Sequence, residues 1–334
     1  MRACQYSRTG DSTVLNVVEV AAPLRAKGEV IVEIVAAGVN PLDVKVRKGE
    51  FFPIAQRLPK IPGCDIAGYV QEAAPGSQFK KGDRVWGMLE TGFCWVKTGT
   101  HAEMIAAPEK ALALIPKEVS FEEAAATASV AITAWQALDV DRLRAGQRVL
   151  IHAGSGGIGH IAIQLAKNAG THVITTASTG NTRFVQEVGA DEVIDYTCAD
   201  FVKELKNRPV DVVVDSLGGD YTARSRAVLK KSGRYAHIMA NGWSRLGYGI
   251  LMSFLLEVWQ ILQGLIVGLL GMGPKHQPVG ASPNPQQLNR IGALMASGKV
   301  KVHIDKTFPL EQARAAHEYQ EKGRPRGKIL ITMK

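Results

Sequence analysis

A chain of 334 residues is longer than a single hydrophobic core usually grows, so two domains are expected. Hydrophobic residues make up 46% and charged residues 21%, which excludes an intrinsically disordered chain. The formal net charge is +9, but Lys and Arg are scattered in short runs such as Lys80-Lys81 and Lys230-Lys231, without an aromatic-basic motif; no nucleic-acid partner is expected, and the positive balance suits a small anionic ligand.

The chain opens Met1-Arg2-Ala3-Cys4-Gln5-Tyr6 and soon reaches an alternating, strand-like run at 14–20. No signal or transit peptide is expected, so the protein is read as cytoplasmic, or organellar if a presequence has been removed. Cys4, Cys64, Cys94 and Cys198 lack paired CxxC spacing, which predicts neither a disulfide framework nor a zinc knot and fits a reducing compartment. Up to about residue 120 the pattern is one of short β-rich segments broken by Gly and Pro, among them 30–36, 65–71 and 83–88, which predicts a mostly antiparallel domain.

An Ala-rich helical stretch at 122–128 continues through 131–138 and marks a boundary near 120–130. Strands at 148–153, 172–177, 192–195, 210–215 and 234–239 then alternate with helices at 158–169, 182–188 and 221–229. Such alternation with near-continuous apolar strands predicts a parallel sheet covered on both faces. The expected fold class is therefore α/β, a doubly wound parallel-sheet domain joined to a mostly antiparallel β-rich one.

The stretch 250–272 is rich in Leu, Ile, Val and Gly over about the length of a membrane span, but Glu257, Gln260 and Gln263 interrupt it at helical spacing. The favoured reading is a buried or interface helix followed by a loop. A monotopic membrane contact or a lid over a lipid-like ligand is the alternative, and a spanning helix is least favoured. A Pro/Gly-rich connection at 274–285, a helix at 285–297 and a final strand at 328–332 complete the chain.

Residues 154–159 read Gly154-Ser155-Gly156-Gly157-Ile158-Gly159, after the strand Val149-Leu150-Ile151-His152 and at the start of a predicted helix. Strand, glycines and helix in this order form the Rossmann fingerprint, in which glycine admits the backbone to a pyrophosphate and the helix N-terminus supplies N–H donors. A ribose 2′-hydroxyl is usually bound by an acid at the end of the second strand. Here that end reads Thr175-Thr176-Ala177-Ser178-Thr179-Gly180-Asn181, with no acid before Glu187. Ser178, Thr179 and Asn181 are donors for a 2′-phosphate and Arg183 is its candidate counter-charge, so NADPH is the expected cofactor.

Seven ordered blocks and a tail carry a family resemblance: AAGVNPLDVKVRKG (36–49), IPGCDIAG (61–68), GDRVWG (82–87), ITAWQAL (132–138), HAGSGGIG (152–159), GADEVIDY (189–196), VVVDSLGG (212–219) and GRPRGKILI (323–331). The chain resembles the medium-chain dehydrogenase/reductase superfamily in its zinc-free quinone oxidoreductase, zeta-crystallin-like branch. The resemblance implies a GroES-like catalytic domain at 1–125 and 274–334, an NADPH-binding Rossmann domain at 126–273, an active site in the cleft between them, and a homodimer.

Zinc-dependent relatives place a Cys where this chain has Asn40 and a His-Glu pair where it has Cys64-Asp65. No metal is therefore expected, Asn being a poor zinc ligand. The family pattern puts Asn40 and Asp43 beside the nicotinamide. Asn40 is expected to orient cofactor or substrate, and Asp43 either to touch ligand or to fix the local backbone. Lys45, where several members have Tyr, is either a cation for a developing enolate or a solvent-facing lysine. Thr133 matches a threonine near the nicotinamide amide. Gly218 and Gly219 end the fourth strand, where the backbone is expected to approach the cofactor closely. Tyr196, and Arg324 from the tail, are expected at the 2′-phosphate pocket. Gly180 departs from the pattern, since many members carry a Lys there. His101, His160, His237 and His317 are read as structural.

The expected function is zinc-independent reduction of quinones, or of the activated C=C bond of α,β-unsaturated carbonyls, by hydride from NADPH. The alternatives are an NADPH-binding interaction or membrane-surface protein with residual reductase activity, acting through 250–272, and an enoyl-thioester reductase.

Overall fold

The computed structural model describes residues 1–50, 56–90, 96–238, 243, 246–322 and 325–333. They form two compact units, Met1–Ile132 with Ser282–Lys334, and Thr133–Ala281.

The chain begins with β1 (Arg2–Gln5), β2 (Asn16–Glu19) and β3 (Glu29–Val39), turns through helix α1 (Pro41–Lys48), and continues with β4 (Asp65–Glu72), β5 (Arg84–Met88), β6 (Met104–Pro108) and β7 (Leu112–Leu114). Helix α2 (Phe121–Leu138) leads into the second unit: β8 (Arg148–Ile151), α3 (Gly157–Asn168), β9 (His172–Ala177), α4 (Thr182–Val188), β10 (Glu192–Asp195), α5 (Phe201–Leu205), β11 (Val210–Asp215), α6 (Tyr221–Ala227), β12 (Leu229–Ile238), α7 (Ile250–Leu269) and β13 (Lys275–Val279). The first unit resumes with α8 (Pro285–Ala296), β14 (Ile304–Pro309), α9 (Ala313–Lys322) and β15 (Lys328–Thr332).

In the first unit one sheet runs β14-β15-β3-β4-β5-β7, with β6 also on β3. Its pairings are antiparallel except β14 with β15. The β-branched runs of β3 and β15 bury Val30, Val32, Ile34, Ile329 and Ile331 against Ile66, Val70 and Leu112. Because β3 runs antiparallel to both β4 and β15, its C-terminal end lies beside the N-terminal ends of those two strands. Asn40 follows β3, Asp65 opens β4 and Lys328 opens β15, so the register alone gathers three distant polar residues.

In the second unit six parallel strands run β10-β9-β8-β11-β12-β13. Counted from the first strand of this sheet the order is third, second, first, fourth, fifth, sixth, the doubly wound dinucleotide-binding order. The direction in which successive strands are added reverses between β8 and β11, and in such sheets ligands bind beyond the strand ends at that switch point. Leu150, Ile174, Ile194, Val213 and Tyr235 form the core on one face.

Three expectations need correction. The run 14–20 is split, with a short 3-10 turn at Ser12–Val14 before β2, because the Asp11 carboxylate accepts the Thr13 N–H and starts a turn. The 274–285 connection contains β13, which pairs with β12 despite Pro278 and closes the parallel sheet at its edge. Helix α7 is not buried: of its residues only Ser253, Glu257 and Gly264 are.

Candidate active site

Strand β8 delivers the glycine turn to the switch point. Ala153 adopts φ +54°, a left-handed backbone, and its carbonyl accepts the Gly156 N–H at 3.0 Å. A Cβ on Gly154 would lie 2.1 Å from Thr175 Oγ1, and one on Gly159 would lie 2.2 Å from the Ala153 carbonyl oxygen. Both positions therefore demand glycine. Gly156 is the N-cap of α3 and no side chain caps that helix, so its first turn, with Gly157 and Ile158, offers N–H groups and the positive dipole end to an anion. Ser155, Gly156, Gly157 and Ile158 are all partly open to solvent. This uncapped, partly open helix start suits a pyrophosphate.

His152 sits under the turn, with Nδ1 3.2 Å from Thr176 Oγ1 and Nε2 2.9 Å from Ser225 Oγ. Burial lowers its pKa to about 4, so at neutral pH one ring nitrogen donates and the other accepts. Across the switch point Asp215, at the end of β11, accepts the N–H groups of Leu217 at 2.7 Å and Gly218 at 3.1 Å, and the Tyr235 hydroxyl at 2.6 Å. Those bonds hold Gly218 and Gly219 at φ +61° and +63°.

At the end of β9, Ser178 Oγ accepts from Asn181 Nδ2 at 3.2 Å. The Tyr196 N–H donates to the Ala177 carbonyl at 3.1 Å, bringing the exposed Tyr196 beside that strand end. The side chain of Arg183, the candidate counter-charge, is 91% exposed and pairs with Glu187 one turn on. A carboxylate also stands here. Asp195 accepts from the hydroxyls of Thr179 at 2.5 Å and Thr197 at 2.7 Å and from the Thr197 N–H at 2.9 Å. Sequence reading searched only along β9 and missed it, although parallel pairing sets Asp195 opposite Ala177. Thr133 is buried on α2, and Arg324 lies outside the described residues.

In the first unit Asn40 and Asp43 are buried and Lys45 is half-buried on α1. Asp43 accepts the Asn40 N–H at 2.8 Å and the Gly63 N–H at 3.0 Å, one with each oxygen. It fixes the local backbone. Burial raises its carboxyl above the usual range, opposed by His101 and the Asn40 N–H. Asn40 Nδ2 donates to Asp65 Oδ2 at 2.8 Å and faces Cys64 Sγ at 3.5 Å, while its Oδ1 accepts from Lys328 Nζ at 2.5 Å. The amide orientation is thereby set, and the group expected to orient ligand is engaged inside the protein.

Lys328 is the second residue that sequence reading missed. Its side chain is 3% exposed, and its ammonium also lies 3.1 Å from Asp65 Oδ2. Asp65 Oδ1 accepts the Ser129 N–H at 2.7 Å. A buried lysine needs such partners, and a buried carboxylate needs such a cation. The signal available in sequence was a lone Lys opening an otherwise apolar strand. Of the histidines, His101 and His317 are buried with Nδ1 and Nε2 3.4 Å apart, His160 bonds the Gly156 carbonyl of its own helix, and His237 lies 3.5 Å from Glu257.

Comparison with known proteins agrees with this architecture. Residues 26–117 match the alcohol dehydrogenase GroES-like domain family, and 188–331 match the zinc-binding dehydrogenase family. The chain is 34% identical over 321 residues to a trans-enoyl reductase of Aspergillus terreus, covering 91% of this chain and 86% of that protein. It superposes on the quinone oxidoreductase of Coxiella burnetii with a TM-score of 0.85 at 30% identity, covering 100% of this chain and 99% of that one. The Escherichia coli quinone oxidoreductase complexed with NADPH gives 0.81 at 27% identity, covering 99% and 100%. The chain belongs to the medium-chain dehydrogenase/reductase superfamily, in its quinone oxidoreductase-like branch. It is an oxidoreductase of that type, built for a nicotinamide cofactor.

The zinc named for one matched family does not fit the residues present. Zinc binds thiolate, neutral imidazole or carboxylate. The Cys64 thiol is pushed well above its ordinary pKa by burial and by Asp65 and Asp43, so it stays protonated. The Lys328 ammonium already bonds Asn40 and Asp65, and a metal there would meet a fixed positive charge. No group of three His, Cys, Asp or Glu able to hold a metal occurs among the described residues.

Proposed function

We propose that the protein uses NADPH to reduce a quinone, or the activated C=C bond of an α,β-unsaturated carbonyl compound, without zinc. The observation that carries this reading is the glycine turn at the switch point, from which α3 starts with no side-chain cap and with Ser155, Gly156, Gly157 and Ile158 partly open to solvent. Support for the acceptor class comes from the relatives, two quinone oxidoreductases and a trans-enoyl reductase. Support for NADPH comes from the cofactor named for the Escherichia coli protein, and from the donors Ser178 and Asn181.

In this reading Ser155, Gly157, Ile158 and Gly159 offer backbone N–H groups to the pyrophosphate, while Gly154 and Gly156, whose own N–H groups bond the Thr176 and Ala153 carbonyls, shape the turn that receives it. Ser178, Asn181, Tyr196 and Arg324 bind the 2′-phosphate, with Arg183 contributing long-range positive charge. Thr133 and the Gly218 backbone orient the nicotinamide. When bound, the cofactor supplies the hydride. Asn40 and Asp43, bonded to each other, with Asn40 also held by Lys328, keep the start of α1 in place, and Lys45 Nζ stabilises the negative charge that develops on the acceptor oxygen and delivers its proton. The protein acts as a homodimer in a reducing compartment, with Cys4, Cys64 and Cys198 as free thiols.

NADPH consumption with a panel of quinones, alkenals and alkenones tests the proposal. Turnover with at least one acceptor, and a lower KM for NADPH than for NADH, are expected. Tight NADPH binding with no turnover on any acceptor would refute it.

A further inference from the structure

Helix α7 is inverted. Ser253, Glu257, Gln260 and Gly264 share one helical face, and that face is turned toward its own unit. Ser253 Oγ donates to the Tyr248 carbonyl at 3.1 Å, and Glu257 lies 3.5 Å from His237. Gln260 donates to the Gly219 carbonyl at 3.1 Å and accepts from Trp243 Nε1 at 3.2 Å. A Cβ on Gly264 would lie 1.9 Å from His276 Nδ1, so the helix backbone presses on β13 there. These contacts prevent the helix from rolling over.

The opposite face is apolar and open to solvent. Of the sixteen large hydrophobic side chains exposed among the described residues, twelve lie between 246 and 272. Trp259 is 59% exposed and Leu269 87%. With Leu251, Leu255, Leu262 and Ile266 they form a continuous strip without one charged group. Monomer surfaces rarely leave more than a few hundred Å² of apolar patch uncovered.

The charge around this strip says what covers it. Within the same unit, residues 221–281 hold seven Lys or Arg and a single acid, Glu257, so this stretch carries +6 of the net charge of +9. Its acid is turned inward. Lys275 lies against the last turns of α7 beside Gly268 and is exposed. It pairs in register with Arg234, and Lys231 is exposed upstream on β12, at the same end of the sheet. An apolar strip with exposed lysines at one end complements a bilayer with anionic headgroups, and the strip holds no acid with which a second copy of the chain could pair those lysines.

We propose that the outer face of α7 docks the protein, in the plane of the interface, onto an anionic lipid bilayer. The inward polar contacts keep the helix on the protein, so it lies on the membrane and does not cross it.

The test is flotation of the full chain with vesicles of phosphatidylcholine alone or mixed with phosphatidylglycerol, at low and high salt. Vesicles containing phosphatidylglycerol should bind at least about tenfold more protein at low salt, and Lys275→Glu should lower that binding by on the order of tenfold. The triple variant L255E/L262E/I266E should not float, while keeping the wild-type melting temperature. As a second readout, brominated lipid should quench Trp259 fluorescence in the wild type, and Trp259→Phe should remove that quenching. No flotation with either vesicle, or equal flotation with both, overturns the proposal. So does a wild-type oligomer that binds no vesicle and falls to a smaller mass in the triple variant, since that result assigns the face to a second copy.

Discussion

The two units build their functional residues in opposite ways. In the dinucleotide unit six consecutive residues make the cradle, and the left-handed Ala153 and the Gly159 pressed against its carbonyl are constraints within that one turn, with only Thr175 of β9 closing in on Gly154 from outside. In the other unit Asn40, Asp65 and Lys328 come from three strand ends and meet only because β3 runs antiparallel to both β4 and β15. A site made from one turn announces itself in a motif. A site made by sheet register does not.

The largest expected effect tests the register-built cluster. Lys328→Met leaves the buried Asp65 carboxylate without its cation, and should destabilise the protein by about 3–5 kcal/mol in urea unfolding. Lys328→Met with Asp65→Asn should recover part of that loss. A double variant no better than the single one would break the claim that the two charges hold each other.

The second asks whether the motif-built site also depends on distant partners. His152 has a folded pKa of about 4, below its unfolded value near 6.5, so the unfolded state takes up the proton first as pH falls. Its contribution is complete above pH 6.5 and is lost toward pH 4, by up to roughly 3 kcal/mol. Replacing it with Gln should flatten the stability profile over that window by a comparable amount, as read by thermal melts. An unchanged slope would mean that His152 is not held neutral.

Gly159→Ala comes next. Its Cβ overlaps backbone and cannot be accommodated by a side-chain shift, so a loss of roughly 1–3 kcal/mol is expected, together with markedly weaker NADPH binding by fluorescence titration. Unaltered NADPH affinity would detach the turn from the cofactor.

Smallest is the choice of cofactor. Gly180 faces open space, so Gly180→Lys adds a cation without a clash, and Asp195→Asn removes a nearby negative charge. Each should raise the NADPH-to-NADH preference by roughly tenfold or less, about 1 kcal/mol, in the ratio of kcat/KM values. A shift toward NADH would place the 2′-phosphate elsewhere.

The doubly wound sheet was legible because its strands and helices follow one another, and β9, α4, β10, β11 and β15 have the bounds their apolar patterns predict. The elements left unread are α1, whose Pro41 opening and eight residues carry little periodicity, the five-residue α5, the polar helix α9, and the short or edge strands β1, β6, β7, β13 and β14. At the site, the i,i+4 pairing of Arg183 with Glu187 on an exposed helix face went unread. Asp195 and Lys328 were missed because each reaches its place through a neighbouring strand. Helix α7 had the right length and polar spacing, but which face turned inward depended on Gly219, His237 and His276.

The most direct measurement is the rate of NADPH oxidation with a quinone and with an alkenone, before and after exhaustive chelation. Full activity after chelation, with no gain from added zinc, is expected if Lys328 is the resident cation of this site. Activity lost on chelation and restored by zinc would contradict it.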